Sequence, residues 1–429
     1  MGNQLSVGKF LAVLLLQYEY KTEKKRSTNA MLRDKKVTQT VIIFLFIYLL
    51  SSLFLAFGSK IVAQRGFPLG FDIYLRWEAA RAFWQGQSPY ADEVTARSDF
   101  DIYGRPRAEG EVAYTFYDPA YTAIILFPIS LIPLHWAGVL WSALGLAILI
   151  MLLLYWGWNI RPRPAPWLLG LIVLSGIFFR PAIMTILNGQ YSLFIVGLAI
   201  LSWWAISREN YFLSGVLLAI STIKPSIFLF VPFVIILWAL RWKKWNILTG
   251  FLASLAVLGI VTLIQIGWWI PDFLYRLQEY SQSLSQQIIF SWSLKDVLSF
   301  PGILWLTLSA VLLFVGLKQL GNHDEFPYLA CMAALNLNLI VTPHIVEYDL
   351  GVLLIPLFFL GTKWSGTRHG IAAWLFLIWF PWISWFITIW LGGSTLQWQN
   401  LVWQSFPNLI LAVIWYKIIF KKDLATLRI

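Results

Sequence analysis

The apolar run WAGVLWSALGLAILIMLLLYWG, residues 136–157, decides the fold class of this chain. It contains no Asp, Glu, Lys or Arg, and it is long enough to cross a bilayer, since a spanning helix needs about 20 apolar residues. Similar runs recur along the chain: 59% of its 429 residues are hydrophobic and 12% are charged, whereas soluble domains are about 25% charged. We therefore predict an all-α integral membrane protein with no separate soluble domain.

The apolar runs predict about twelve transmembrane helices. One further apolar segment, 120–134, is short and is interrupted by Pro128 and Pro133, so we predict an interfacial or re-entrant helix there. The chain then divides into a basic tail (1–36), one membrane domain (37–420) whose first outer loop is 58–135, and a second basic tail (421–429). The predicted spans are 37–57, 136–157, 167–179, 192–206, 211–223, 226–240, 246–270, 301–317, 326–341, 349–361, 371–390 and 401–420.

The net charge of +11 follows this topology and does not indicate nucleic-acid binding. Lys and Arg cluster before the first span and in every second loop after it, which by the positive-inside rule places both termini in the cytoplasm. If 120–134 were a full span, Arg161, Arg163 and the later basic clusters would all face outward. Most Asp and Glu fall on the outer side in this arrangement, so we expect the polar chemistry there.

Several chemistries find little support in the sequence. The single cysteine, Cys331, excludes an intramolecular disulfide, and the four histidines lie far apart, so we expect no metal and no cofactor. The triplet Asp99-Phe100-Asp101 spells a D-x-D metal motif, but it lacks a nucleotide-binding β-α pattern around it. We interpret this triplet as part of a solvated loop.

Polar residues that could carry chemistry cluster at the predicted outer side. Asp72 precedes an amphipathic stretch that Gly86 and Pro89 would end, and an N-cap is the simplest role for its carboxylate. Lys224 and other ionisable residues lie at span ends, where side chains often snorkel to the interface. The remaining candidates lie in Tyr114–Ala120, Arg180-Pro181, Asn188-Gly189-Gln190, Pro343-His344 and Glu347-Tyr348-Asp349.

The order of these motifs resembles glycosyltransferase family 87, also called DUF2029. The resemblance is carried over roughly residues 70–350, and one of its segments has Asp118-Pro119 where the family more often has two prolines. The family is similar to mannosyltransferases that use polyprenol-phosphate mannose and form alpha-1,2 linkages. The segments that carry the resemblance are Phe71-Asp72-Ile73-Tyr74, Gly86-Gln87-Ser88-Pro89-Tyr90, Phe116-Tyr117-Asp118-Pro119, Asn188-Gly189-Gln190 and Gly215 to Lys224-Pro225.

The resemblance implies a GT-C-type bundle whose first extracytoplasmic loop carries interfacial helices and an acidic catalytic residue, here Asp72. It implies a polyprenyl-phosphate sugar as donor, a glycolipid or glycan as acceptor, and a place in the bacterial plasma membrane with an extracytoplasmic site. Asp72 would act as general base on the acceptor hydroxyl. We expect Lys224, Arg180 and His344 to stabilise the donor phosphate, and we expect contacts to sugar or acceptor from Tyr74, Tyr117, Asn188, Gln190 and Glu347.

Two other classes stay open from the sequence. A secondary transporter or lipid-linked glycan flippase would also be a multi-span protein, but transporters often carry broken helices at matching positions in two halves, and only the first half shows one. An O-antigen ligase or polymerase-like enzyme would also join lipid-linked glycans, but we would expect its catalytic charges in a large later loop. The largest loop here is the first.

Overall fold

The computed structural model describes residues 37–59, 68–159, 165–287, 328–342, 345–364 and 367–390, with 406–407, 409–410 and 413. Throughout these residues the regular structure is helical and contains no strand. Apolar side chains from almost every described helix meet in one large buried cluster, and a small second cluster lies under the first loop. The all-α prediction is confirmed for this part of the chain.

Seventeen α-helices and one 3-10 helix, Glu347–Leu353, are described. In chain order the α-helices are α1 Val37–Ser59, α2 Asp72–Trp84, α3 Asp92–Tyr103, α4 Thr122–Ile125, α5 Phe127–Ser130, α6 Leu134–Asn159, α7 Pro166–Ile177, α8 Arg180–Asn188, α9 Ser192–Ser207, α10 Tyr211–Ser221, α11 Pro225–Phe228, α12 Phe230–Arg241, α13 Trp245–Ile266, α14 Ile270–Gln287, α15 Tyr328–Val341, α16 Leu354–Trp364 and α17 Arg368–Trp390.

Four of the described helices are long and apolar enough to cross a membrane: α1, α6, α13 and α17. Helices α7 and α8 pass the same test together but are bent by 45° at a short break, and they make a fifth span if they count as one. The chain is therefore a multi-span membrane protein. The other predicted spans that fall on described residues form shorter apolar helices, α9, α10, α12 and α15 among them. The span predicted at 301–317 and most of 401–420 lie outside the described residues.

The segment 120–134 is not a single helix. It forms the two short helices α4 and α5, and Pro128 lies in the first turn of α5, where a missing N–H costs nothing. The Trp77 indole donates a hydrogen bond of 2.8 Å to the carbonyl oxygen of Ile132 and ties this segment to α2. This geometry fits the predicted interruption of the apolar run by proline.

The first loop is folded onto the bundle by contacts with α14. The Arg276 guanidinium donates hydrogen bonds to the carbonyl oxygen of Tyr90 and pairs with Asp92 at 2.5 Å. Phe273 packs with Tyr90 and Phe116 in the small buried cluster. The small cluster also contains apolar side chains of α2, so α14 packs against this helix as well.

Three glycines bring the first loop, α6 and the end of α8 into backbone contact. Gly70 and Gly189 have φ of +72° and +75°, values that residues with a Cβ rarely adopt. A Cβ on Gly70 would lie 2.7 Å from the carbonyl oxygen of Gly138, and one on Gly189 would lie 2.8 Å from the Gly70 Cα. The Gly70 amide donates to the carbonyl oxygen of Leu187 at 2.8 Å. We call Gly70, Gly138 and Gly189 the glycine junction.

We predict that Gly70→Ala and Gly189→Ala each destabilise the protein strongly, because the new methyl group meets backbone atoms that cannot rotate away. The left-handed φ alone should cost about 1 kcal/mol, and the clash adds to it. Gly104→Ala is the matched control, since Gly104 also has a positive φ, +70°, but has nothing within 4 Å of the added Cβ. Thermal unfolding of detergent-purified protein measures the difference, and equal losses in all three variants would contradict the junction.

Candidate active site

The Asp72 carboxylate lies at the first turn of α2, but it does not cap that helix. Phe71 is the N-cap residue, and the helix has no side-chain cap, so the simple N-cap role is wrong. Instead Asp72 Oδ2 accepts a hydrogen bond of 2.5 Å from Gln190 Nε2. Asp72 is 7% exposed. The two residues are 118 positions apart in sequence, and the glycine junction brings them together.

Arg76, one helical turn after Asp72, is the most deeply buried charge of the site, with 1% of its side chain exposed. Its Nε lies 2.9 Å from Asp118 Oδ2, and its two terminal nitrogens donate to the Asp72 carbonyl oxygen and to Gln190 Oε1. Its guanidinium also lies 4.1 Å from the centre of the Tyr191 ring. A buried guanidinium needs such an arrangement, because an unpaired charge in this environment is very costly.

Lys224 comes to the same place from the turn before α11. Its Nζ donates to Asp349 Oδ1 at 2.5 Å and to Gln190 Oε1 at 3.2 Å. Asp349 also accepts from the Val346 amide, so the carboxylate is fixed within the 3-10 helix. We call the connected side chains the Asp72 network, and they are Asp72, Arg76, Asp118, Gln190, Lys224 and Asp349.

The 3-10 helix holds a second charged pair beside the network. Glu347 forms an ion pair with Arg180 at the start of α8. The Arg180 guanidinium also lies 4.8 Å from the ring centre of Trp385 in α17. The carbonyl oxygen of Tyr348 accepts from the hydroxyls of Thr185 and Ser192, each at 2.8 Å. These contacts dock the 3-10 helix against α8 and α9.

Tyrosine rings surround the network. The rings of Tyr117 and Tyr280 stack with centres 4.1 Å apart, and Lys224 Nζ lies 5.1 Å from the centre of the Tyr348 ring. Burial raises the pKa of the Asp72 carboxyl, although Arg76, Gln190 and Lys224 act against this shift. A carboxylate with a raised pKa is a stronger base than an ordinary aspartate.

The structure brings some of the predicted site residues together and separates others. Asp72, Gln190 and Lys224 meet in the network, and Tyr117 lies beside it. Arg180 and Glu347 pair with each other nearby. In the described part of the chain, the side chains of Tyr74 and Asn188 make no hydrogen bond to the network: Tyr74 packs against Gly138, and Asn188 is the last residue of α8. His344 lies outside the described residues.

The D-x-D triplet is not in a solvated loop, because Asp99 and Asp101 both lie in helix α3. Asp99 is buried, pairs with Arg107 at 2.9 Å and accepts a hydrogen bond from the Tyr114 amide at 2.7 Å. Asp101 faces a surface depression that Glu78 and Arg97 also line. Burial and the charge of Glu78 raise the pKa of Asp101 to about 6. The contacts of Asp99 with Arg107 and Tyr114 therefore hold the first loop together.

The sequence predicts no role for three members of the network: Arg76, and Asp118 and Asp349, which lie within candidate segments. The position of Arg76 was detectable, since residues four apart on a helix share a face. In the E-Y-D triplet it is Asp349 that faces Lys224, whereas Glu347 turns to Arg180. The local sequence does not show which of the two acids pairs with Lys224, because the pairing depends on the 3-10 geometry of a short segment.

The fold and the network define a multi-span membrane protein with buried carboxylates and cations at helix ends. The family model for glycosyltransferase family 87 matches residues 114–343. The match covers more than half of the chain, and the chain belongs to this family; it is therefore a membrane glycosyltransferase. The matched range includes Asp118, Gln190 and Lys224, whereas Asp72 and Asp349 lie outside it. No curated protein and no solved structure matches the chain.

We predict that Arg76→Leu lowers the free energy of unfolding by about 3–5 kcal/mol, because Asp118 loses its cation while it stays buried. The matched control is Arg81→Leu on the same helix, since Arg81 is exposed and contacts the Trp77 ring. Adding Asp118→Asn to Arg76→Leu should restore part of the loss. Thermal unfolding of the four proteins in detergent checks this, and equal stability of the two single variants would contradict it.

Proposed function

We propose that this membrane glycosyltransferase moves a hexose, with mannose favoured, from a polyprenyl-phosphate donor to a glycolipid or glycan acceptor. The transfer takes place on the extracytoplasmic face of a bacterial plasma membrane and inverts the anomeric carbon. The observation that carries the proposal is the Asp72 carboxylate, which is buried next to two cations and has one oxygen held by Gln190.

In the proposed reaction the acceptor hydroxyl attacks the anomeric carbon from the face opposite the phosphate. The bond between that carbon and the phosphate oxygen breaks, and its electrons leave with polyprenyl phosphate. The hydroxyl proton goes to Asp72, which acts as general base. Water takes no part in this reaction. A site shielded from solvent therefore favours transfer of the sugar to the acceptor over hydrolysis of the donor.

Lys224 is the described cation best suited to the leaving phosphate. An ammonium group has three N–H donors, and Asp349 and Gln190 take two of them. The third can meet a phosphate oxygen and stabilise the charge that develops there. Arg180 remains a second candidate, with its position set by Glu347 and Trp385, and His344 stays a prediction.

The aromatic rings beside the network suit a sugar. Tyr117 and Tyr280 form a stacked pair, and the apolar face of a hexose packs well on aromatic rings. Tyr117 keeps its predicted sugar contact in this proposal, and the contacts of Tyr74, Asn188 and Glu347 stay predictions. Membrane lipids surround the bundle, and the lipid-linked donor lies among them in the bilayer. We propose no cofactor, no metal and no nucleic-acid partner.

A transporter or flippase would place its charges where a solute can pass between two halves of the bundle. Here the charged residues instead hold one another at helix ends and in the turns beside them. Membership in a glycosyltransferase family is the reason to favour group transfer. The same membership weighs against the O-antigen ligase or polymerase-like alternative.

We predict that Asp72→Asn abolishes transfer, with a loss of at least 10²-fold, while the protein stays folded. The general base is lost, but the raised pKa of Asp72 means that a neutral side chain is tolerated at this position. The measurement is transfer from radiolabelled polyprenyl-phosphate mannose in membranes at equal protein level. In the natural chain the rate should fall as pH drops through the raised pKa of Asp72, above the value of about 4 for a free aspartate.

The control for this experiment is Asp101→Asn, which changes the other carboxylate whose pKa is raised in the first loop. This variant should keep both the rate and the position of the acid limb. Full transfer by Asp72→Asn would remove Asp72 from the base role. Failure of the natural chain to use any polyprenyl-phosphate hexose would overturn the proposed donor.

We predict that Glu109→Cys reacts with a membrane-impermeant thiol reagent in intact cells, whereas Ser207→Cys reacts only after permeabilisation. Glu109 is exposed in the first loop, and Ser207 is exposed at the end of α9, which runs away from Gln190 for about 24 Å. The natural Cys331 is buried and gives little background. Labelling of both positions from the same side would contradict the proposed sidedness.

A further inference from the structure

We propose that Gln190 is a positioning residue that aims the Asp72 carboxylate, and that it is not a contact for the sugar. This inference rests on the proposed function, since it needs Asp72 to be the base. It replaces the predicted role of Gln190 in sugar binding. It also gives the Asn188-Gly189-Gln190 motif a task that its hydrogen bonds can explain.

The orientation of the Gln190 amide is fixed by its neighbours. An amide has one acceptor oxygen and one donor nitrogen. Two cations, Arg76 and Lys224, each lie 3.2 Å from Oε1, and both can only donate. The nitrogen must therefore point to the opposite side, where it meets Asp72 Oδ2 at 2.5 Å. A reversed amide would place its N–H₂ group against two positive charges.

This orientation distinguishes the two oxygens of Asp72. Oδ2 accepts from Gln190, and among the described residues no hydrogen bond ends at Oδ1. The carboxylate is thereby held in one rotamer, with Oδ1 left to take a proton. General-base catalysis depends on such alignment within hydrogen-bond reach of the proton that moves. An Asp72 side chain without this bond could turn toward Arg76 instead.

The backbone gives Gln190 little freedom. It follows Gly189, whose φ of +75° ends α8, and its own amide donates to the Thr185 carbonyl oxygen at 2.9 Å. Gly189 packs directly on Gly70, two residues before Asp72. The two side chains thus start from backbones in contact, and Gln190 is 4% exposed. A buried side chain with all its polar atoms engaged suits positioning better than ligand binding.

The charges that face Asp72 decide what a change at Gln190 does to the pH profile. These ionisable groups lie in α2, in the first loop before α4, in the turn before α11, in α14 and in the 3-10 helix. Removing the Gln190 hydrogen bond takes away one of the effects that lower the pKa of Asp72, so this pKa rises further. The ionisable neighbours are Arg76, Asp118, Lys224, Asp349, Tyr114, Tyr117, Tyr280 and Tyr348.

The experiment compares Gln190→Met and Gln190→Glu with the natural chain in the mannose-transfer assay across pH. Met keeps the length without the amide, and Glu keeps the shape but adds a negative charge beside Asp72. We expect kcat to fall about tenfold or more, with little change in the KM for the donor. We also expect the acid limb to move to higher pH, by about one unit or more for Gln190→Glu.

The matched control is Gln85→Glu, the same chemical change at an exposed position after α2, which should alter neither value. A raised donor KM with an unmoved acid limb in both Gln190 variants would overturn the positioning role and restore sugar binding. Asp72→Asn is measured in parallel. If it still transfers, the proposed base is wrong and this inference fails with it; if it is inactive, an unmoved limb counts against Gln190 alone.

Discussion

Arg76 is a full positive charge that folding removes from water, and the arrangement of the site follows from that constraint. Such a charge is tolerable only where carboxylates and hydrogen-bond acceptors replace its hydration. Asp118, the Asp72 carbonyl oxygen and Gln190 Oε1 meet this need from three separate segments. Because each of these groups has a second partner, one buried guanidinium fixes the relative positions of α2, the turn at Asp118 and the start of α9.

The 3-10 helix extends this order to the later part of the chain. Asp349 reaches Lys224, and Glu347 two residues earlier reaches Arg180. The same short segment accepts two hydroxyl hydrogen bonds at Tyr348. The 3-10 helix therefore holds two cations, one at the start of α8 and one just before α11. For the proposed transfer from a polyprenyl-phosphate donor, the leaving phosphate needs cations of fixed position, and the 3-10 helix supplies the anchor.

Features that depend on residues close together in sequence are predicted well, whereas contacts between residues far apart in sequence are not. Long apolar runs such as 136–157 predict their helices well, because hydropathy and length are local properties. The bend at Arg180-Pro181 and the broken segment 120–134 follow from proline, which is also local. The sequence predicts no role for Asp349 and Asp118, because their partners lie far away in sequence. The D-x-D triplet was misread for the same reason, since the role of Asp99 depends on Arg107 and on the Tyr114 amide.

The glycine junction has a consequence for how such an enzyme can change over generations. Gly138 lies within an apolar helix, carries no functional group and is far from every motif in sequence, yet a Cβ there would lie 2.5 Å from the Leu69 carbonyl oxygen. A drift to alanine at this position would push α6 away from the segment that carries Asp72 while every polar residue stayed in place. Inheritance of this site thus depends on hydrogen atoms at three α-carbons as much as on its charged side chains.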